Sequence, residues 1–362
     1  MKIMTILGTR PEIIRLSIVI KKLDNYCKHI LVHTGQNYDK KLSAIFFSEL
    51  NLREPNYYLG IKEDTLGKQI GKILIGVEDV IIKEMPDKIL ILGDTNSGLA
   101  CIIAKRMGIP VFHLEAGNRC FDDRVPEEVN RRIIDHSSTI LLPYTYRSKE
   151  NLLNEGINNE VIYVIGNPIL EVIESFSDRI AECDVLERLG LINRKYFLVS
   201  MHRAENVDIE ARLRSLISAL NEINEIYNMP VVCSLHPRTK SKMVKFGLTQ
   251  DSEKVKYLDP LGFVDFVALE KNALCVITDS GTVQEECCIF NIPNITIRDV
   301  TERPETIESG SNMLTSVDPK LILDSINIVI NEKNMWDPPK EYLEKKVSSK
   351  VIKILLGYNR NR

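Results

Sequence analysis

Short runs of Ile, Val and Leu recur along this chain, each closed by turn residues and followed by a longer amphipathic stretch. That alternation constrains the fold more than any other feature, because strand, helix and strand at this spacing require parallel sheets covered by helices on both faces. Lys2–Leu7, His29–Thr34, Lys88–Leu92, Val111–Leu114, Thr139–Leu142 and Val161–Ile165 read as buried strands. Leu66–Lys83 and Asn96–Met107 read as helices between them. A second series begins at Tyr196–Ser200 and continues through Val231–Leu235, Val255–Leu258, Leu274–Thr278 and Asn294–Arg298. Ile209–Tyr227 and Val264–Lys271 are its helices. The expected fold class is α/β, with two Rossmann-like doubly wound domains facing a cleft. The boundary is expected near 166–174, giving domains over 1–168 and 169–338. A final helix over Pro339–Leu356, within segment 339–362, is expected to pack back on the first domain.

Length and charge narrow the function. A chain of 362 residues suits two domains. Forty-seven Lys and Arg against 50 Asp and Glu leave a formal charge of −3, so no broad basic surface awaits a nucleic-acid backbone. Any anionic ligand must be held by local devices. No apolar run reaches the roughly 18–20 residues of a membrane span. The opening Met1–Leu7 is too short for a secretory core, so a cytoplasmic protein without membrane partners is expected. Eight cysteines lie scattered without a C-x-x-C pair, and six histidines stand singly. Reduced core cysteines and no metal site are expected.

In open parallel sheets, ligands bind beyond the carboxyl ends of the strands. The first strand runs into Gly8-Thr9-Arg10-Pro11-Glu12. Its glycine permits a tight turn, Pro11 suits a first helical turn, and Arg10 adds a bidentate donor to the N–H groups of a helix start. The motif lacks the glycine spacing of a dinucleotide fold and the Lys-Ser/Thr of a P-loop. Gly93-Asp94-Thr95 closes another strand, with Asp94 or Thr95 alternatively serving only as a helix cap. His113-Leu114-Glu115-Ala116-Gly117 closes the next, and a glutamate there has little structural reason to end an apolar run. Pro126-Glu127-Glu128 opens a helix, where acids also complement the dipole. Together Asp94, Glu115 and Glu127 form a candidate acid/base set whose proton affinities mutual repulsion and burial would raise.

In the second series, Met201-His202-Arg203 places a candidate proton carrier and a phosphate donor at a strand end. Asp279-Ser280-Gly281-Thr282 leads from strand to helix, where exposed N–H groups and the Ser280 hydroxyl would hold a diphosphate. Glu286, one turn further, would accept hydrogen bonds from ribose hydroxyls. Thr301-Glu302-Arg303-Pro304-Glu305 offers Arg303 as a further cation.

These motifs, in this order, resemble the non-hydrolysing UDP-N-acetylglucosamine 2-epimerase family over nearly the whole chain. The resemblance implies a glycosyltransferase-B type fold, a homodimer, no cofactor, and a UDP-linked 2-acetamido sugar as substrate. It implies inversion at C2 through elimination of UDP to a 2-acetamidoglycal, followed by re-addition. Asp94, Glu115, Glu127 and His202 match positions implicated in proton transfer. Arg10, Ser280, Gly281, Glu286 and Arg303 match nucleotide contacts, and Phe266 matches the aromatic beside uracil. Arg15, Arg203 and Thr282 complete the expected substrate-contacting set.

Departures from the family pattern bear on the sugar. Arg15 stands where many members have lysine, and Leu16-Ser17-Ile18 where they have Met-Ala-Pro. Gln36-Asn37-Tyr38 replaces a Gln-His-Arg segment associated with activation by substrate, so that control is not expected. Arg15-Leu16-Ser17, the 33–39 segment and Ala116–Asp122 resemble a branch forming UDP-N-acetyl-L-fucosamine from its talose epimer. The expected reaction is that one or UDP-N-acetylglucosamine/UDP-N-acetylmannosamine interconversion, for cell-surface polysaccharide synthesis. A UDP-sugar glycosyltransferase of the same fold is the alternative.

Overall fold

Residues 1–35, 40–248, 254–332 and 335–358 are described by the computed structural model, the side chains of 40–44 excepted. Gln36, Asn37, Tyr38 and Asp39, whose residue types bear on the sugar, lie outside them. The chain divides into two compact units, Met1–Ser175 with Lys340–Arg362, and Phe176–Pro339.

The first unit holds β1 (Lys2–Leu7), β2 (Lys28–His33), β3 (Tyr57–Tyr58), β4 (Lys88–Leu92), β5 (Val111–Leu114) and β6 (Ile140–Leu142). They form one sheet in the order β3-β2-β1-β4-β5-β6, and every neighbouring pair runs parallel. The second unit holds β7 (Phe197–Met201), β8 (Val231–Leu235), β9 (Val255–Leu258), β10 (Cys275–Thr278), β11 (Asn294–Thr296) and β12 (Asn312–Leu314). Its order, β12-β11-β10-β7-β8-β9, repeats the first sheet's connectivity. Helices on both faces bury the central strands, which is why they read as continuous apolar runs rather than alternating ones. The strand order reverses between β1 and β4, and again between β7 and β10. Those reversals leave a crevice at the carboxyl ends of the strands in each sheet.

Three expectations need correction. Val161–Ile165 is not a sheet strand: a 3-10 turn covers Asn159–Val161, and one bridge joins Leu141 to Ile162. The segment donates Tyr163 N–H to Leu141 and Ile165 N–H to Pro143, but proline has no N–H to return, so the ladder stops. The edge strands β3 and β12 carried no apolar run long enough to register. The final segment is not one helix but a 3-10 turn over Lys340–Leu343 and a helix over Val347–Gly357. Asn167 N–H binds the Glu341 carbonyl at 2.8 Å, and the carboxylate of Glu171 caps Ser348 N–H at 2.8 Å. The Val347–Gly357 helix packs on the Arg10–Tyr26 helix. Among the described residues no helix is long and apolar enough to cross a membrane.

Candidate active site

At the β1/β4 reversal, Thr9 caps the Arg10–Tyr26 helix in a capping box with Glu12. One Glu12 oxygen accepts Gly8 N–H at 3.0 Å, Thr9 N–H at 2.7 Å and the Thr9 hydroxyl at 2.8 Å. The other accepts the Thr95 hydroxyl at 3.1 Å, so Glu12 ties the turn after β1 to the turn after β4. Burial pushes its carboxyl up to about 7 against these donors. Arg10 lies at the helix start with its guanidinium 5.5 Å from the Phe46 ring centroid. Burial lowers its proton affinity, and no carboxylate among the described residues is ion-paired to it. A half-buried cation of that kind suits an anionic ligand.

Asp94 follows Gly93, whose φ is +72°, and its carboxylate meets Arg131 at 2.5 Å. Arg131 also binds the fully buried Glu128 at 3.0 Å. Asn130 donates to the Asp94 carbonyl at 3.0 Å, so the Pro126–Ser137 helix grips this turn. Behind it, His113 Nε2 lies 2.8 Å from the Gly93 carbonyl and Nδ1 lies 2.8 Å from Asp135. Burial alone would raise the Asp135 carboxyl, but His113 and Arg119 hold it below its ordinary range. Asp135 also accepts Gly117 N–H at 3.1 Å and so braces the turn after β5.

That turn presents Glu115. Its backbone lies in the left-handed region at φ +66°, uncommon for a residue with a side chain and costing roughly 1–2 kcal/mol. Its carboxylate forms an ion pair with Arg15, and both side chains are more than nine-tenths buried. Arg15 also lies over Tyr144, 5.5 Å from the ring centroid. Gly117, at φ +80°, has no room for a side chain: a Cβ would stand 2.2 Å from the Ser148 carbonyl oxygen. Glu127 is half-buried in the first turn of the Pro126–Ser137 helix. The expected repulsion among acids is therefore modified, because Asp94 and Glu115 each have an arginine partner. The arginines were invisible as partners in the sequence, lying 37 and 100 positions away.

At the β7/β10 reversal the organising group is Asp279, the first residue of the Asp279-Ser280-Gly281-Thr282 motif. Fully buried, it accepts the N–H groups of His202 and Arg203 at 3.0 Å and Asn206 Nδ2 at 3.2 Å. Its carboxylate also stands 3.1 Å from His202 Nδ1. Burial would raise this carboxyl, yet His202 and the two backbone N–H groups bring it down to about 2. The dyad fixes the imidazole with Nε2 directed away from Asp279, and the His202 side chain is one-third exposed. An acid closing a buried strand was the available signal, as it was for Glu115.

Ser280 stands at the N-cap position of the Gly281–Phe290 helix without a capping side-chain hydrogen bond, and Thr282 is half-buried in the first turn. A Cβ at Gly281 would lie 2.7 Å from Glu302 Oε1, so a larger residue there would displace the Glu302 carboxylate. Glu302 binds Arg298 at 2.7 Å and Arg203 at 3.4 Å. Arg303, the further cation of this site, is buried and ion-paired with Glu285. Phe266 is half-buried on the Phe263–Asn272 helix. Glu286 is buried beside Glu270, an acid that no motif marks. Among the described residues no group of three or more His, Cys, Asp or Glu is arranged to hold a metal ion.

Comparison with known proteins adds a consistent set of relatives. The family model described as UDP-N-acetylglucosamine 2-epimerase matches residues 21–356. A UDP-N-acetylglucosamine 2-epimerase of Methanocaldococcus jannaschii is 43% identical over 98% of this chain and 99% of that protein. A UDP-2,3-diacetamido-2,3-dideoxy-D-glucuronate 2-epimerase of Pseudomonas aeruginosa is 37% identical over 98% and 99%. A crystal structure of the M. jannaschii enzyme with UDP-GlcNAc and UDP superposes with a TM-score of 0.94 at 41% identity, covering 99% of this chain and all of that one. An Acinetobacter baumannii MurG structure, 9% identical with a TM-score of 0.54, shares the fold alone.

Proposed function

The chain belongs to the UDP-N-acetylglucosamine 2-epimerase family, and from that premise we propose that it inverts C2 of a UDP-linked 2-acetamido sugar without hydrolysing it. The substrate best supported is UDP-N-acetylglucosamine, interconverted with UDP-N-acetylmannosamine, given the relatives that carry that activity in their names. The observation that carries the reading is Glu115, a carboxylate held at a strand end from a strained left-handed backbone. Such strain persists where the surroundings enforce it, and it clusters at functional sites. A glycosyltransferase of this fold has no need of acids at C2.

In the proposed reaction a base takes the C2 proton while the C1–O bond breaks, its electron pair leaving with UDP, and a C1=C2 bond forms. UDP oxygen then re-attacks C1 as a proton is delivered to the opposite face of C2. Asp94, Glu115, Glu127 and His202 supply the proton transfers. The Asp279 carboxylate holds the His202 ring in one orientation and stabilises it when charged. Arg10, Arg15, Arg203 and Arg303, with the Ser280 hydroxyl and the N–H groups at Gly281 and Thr282, stabilise the departing diphosphate. Glu286 takes the ribose and Phe266 the uracil. In this reading the first unit, Met1–Ser175 with Lys340–Arg362, supplies the acids, and Phe176–Pro339 supplies the UDP grip. We read the protein as a cytoplasmic homodimer serving polysaccharide synthesis, as the family resemblance implies.

The test is incubation in deuterated water with UDP-N-acetylglucosamine and, separately, with the UDP-2-acetamido-2,6-dideoxy-L-talose compound. Epimerisation predicts deuterium at C2 and both C2 epimers in recovered nucleotide sugar, without any acceptor. Which sugar reacts decides the substrate. Sugar transfer to an acceptor with no C2 exchange would establish the glycosyltransferase reading instead.

A further inference from the structure

We propose that Glu270 is held as a neutral carboxylic acid whose O–H donates to the carboxylate of Glu286, a positioning contact that aims Glu286 at the vicinal hydroxyls of the nucleotide's ribose. The proposal rests on the reading of Glu286 as a ribose contact and adds a residue to it.

Glu270 lies in the last turn of the Phe263–Asn272 helix, and Glu286 lies one turn into the Gly281–Phe290 helix packed against it. Glu270 is fully buried, Glu286 is 4% exposed, and their carboxyl groups are within hydrogen-bonding reach. Neither Glu270 oxygen receives a hydrogen bond from any donor among the described residues. Three neighbouring polar groups are engaged elsewhere. Lys271 lies over the Phe290 ring at 5.5 Å, Arg194 donates to the Ala273 carbonyl at 3.2 Å, and the Tyr196 hydroxyl donates to the Leu269 carbonyl. The nearby thiol of Cys287 is itself pushed well above its ordinary range by burial and by these acids.

Two carboxylates in contact and away from water cannot both ionise without a cation between them. One proton must therefore stay on the pair. Burial, then the neighbouring Glu286, pushes the Glu270 carboxyl well above its usual value, so the deeper acid is the one that keeps it. Glu286 is left charged, with one oxygen anchored from behind. Its carboxylate is then fixed in rotation before a ligand arrives, and a pre-oriented acceptor binds a diol more tightly than a mobile one. The arrangement is that of a hydrogen-bonded support behind a binding group.

The experiment compares wild type, E270Q, E270L and E286Q. Infrared spectra of the nucleotide-free protein should contain a protonated-carboxyl C=O band that E270Q lacks. Loss of a charge-assisted hydrogen bond corresponds to roughly tenfold or more in binding. E270L should therefore raise the KM for UDP-N-acetylglucosamine and the Kd for UDP by about tenfold, with kcat changed less than about threefold. E270Q, whose amide N–H still donates, should recover most of that loss. A wild-type spectrum without the band, or one that E270Q leaves intact, overturns the proposal, as does an unchanged KM in E270L. Should E270L fail to fold, the spectra of wild type and E270Q still decide. If E286Q binds UDP like wild type, the ribose reading fails separately, and the band then reports on the pair alone.

Discussion

Replacing Glu115 by glutamine removes the charge that Arg15 faces in a site where both side chains are nearly inaccessible, at 8% and 2% exposure. Breaking a buried ion pair from one side costs about 3–5 kcal/mol, because the remaining charge is stranded. The amide oxygen of Gln still accepts from Arg15, so the lower end applies, about 3 kcal/mol. For a unit of this size that lowers Tm by about 6–12 °C. Glu115→Gln is thus expected to perturb stability as well as turnover, and activity loss alone cannot assign it a chemical role. Arg15→Met separates the two. It removes the cation that Glu115→Gln would strand, so the double variant should recover much of the lost stability. If Glu115 moves a proton, the double variant should still turn over about 10²-fold or more slower than Arg15→Met alone. Thermal melts and the rate of deuterium entry at C2, measured on both single variants and the double, give the cycle. Equal rates for Arg15→Met and the double variant would refute the proton-transfer role, leaving Glu115 as the counter-ion of Arg15.

Two further outcomes follow from the same geometry. Asp279 is held at about 2 against an ordinary 3.8, equivalent to about 2 kcal/mol of stability. Because the folded value is depressed, that contribution is complete above about 3.8 and disappears as pH falls through about 2. Asp279→Asn should lose it at neutral pH and show a shallower acid dependence in that window, read by denaturant unfolding at several pH values. Gly117→Ala combines a left-handed φ with a Cβ driven into the Ser148 carbonyl, and should destabilise by about 3 kcal/mol or more. A melting temperature within 2 °C of wild type, by the same roughly 2–4 °C per kcal/mol scale, would show that the turn after β5 relaxes freely.

The central strands were legible because burial on both faces leaves an uninterrupted apolar run: β1, β4, β5 and β8 begin and end where the residue pattern indicates. The edges were not. Tyr57–Tyr58 and Asn312–Leu314 are held by pairing with one neighbour, and their side chains carry little of the core's signature. Val161–Ile165 has that signature but abuts Pro143, whose missing N–H is a property of its partner rather than of itself.

The candidate site divides along a similar line. That acids, His202 and small residues stand where strands end is written in the order of residue types, since a polar group closing a buried run lies at the sheet's rim wherever the sheet is built. What each of them meets is not written there. Arg15 beside Glu115, Arg131 beside Asp94, Arg303 beside Glu285 and Glu270 against Glu286 are encounters between segments distant in the chain or on separate helices. Charge state depends on the distance to such neighbours and on the water they displace, and both quantities exist only after the chain has packed.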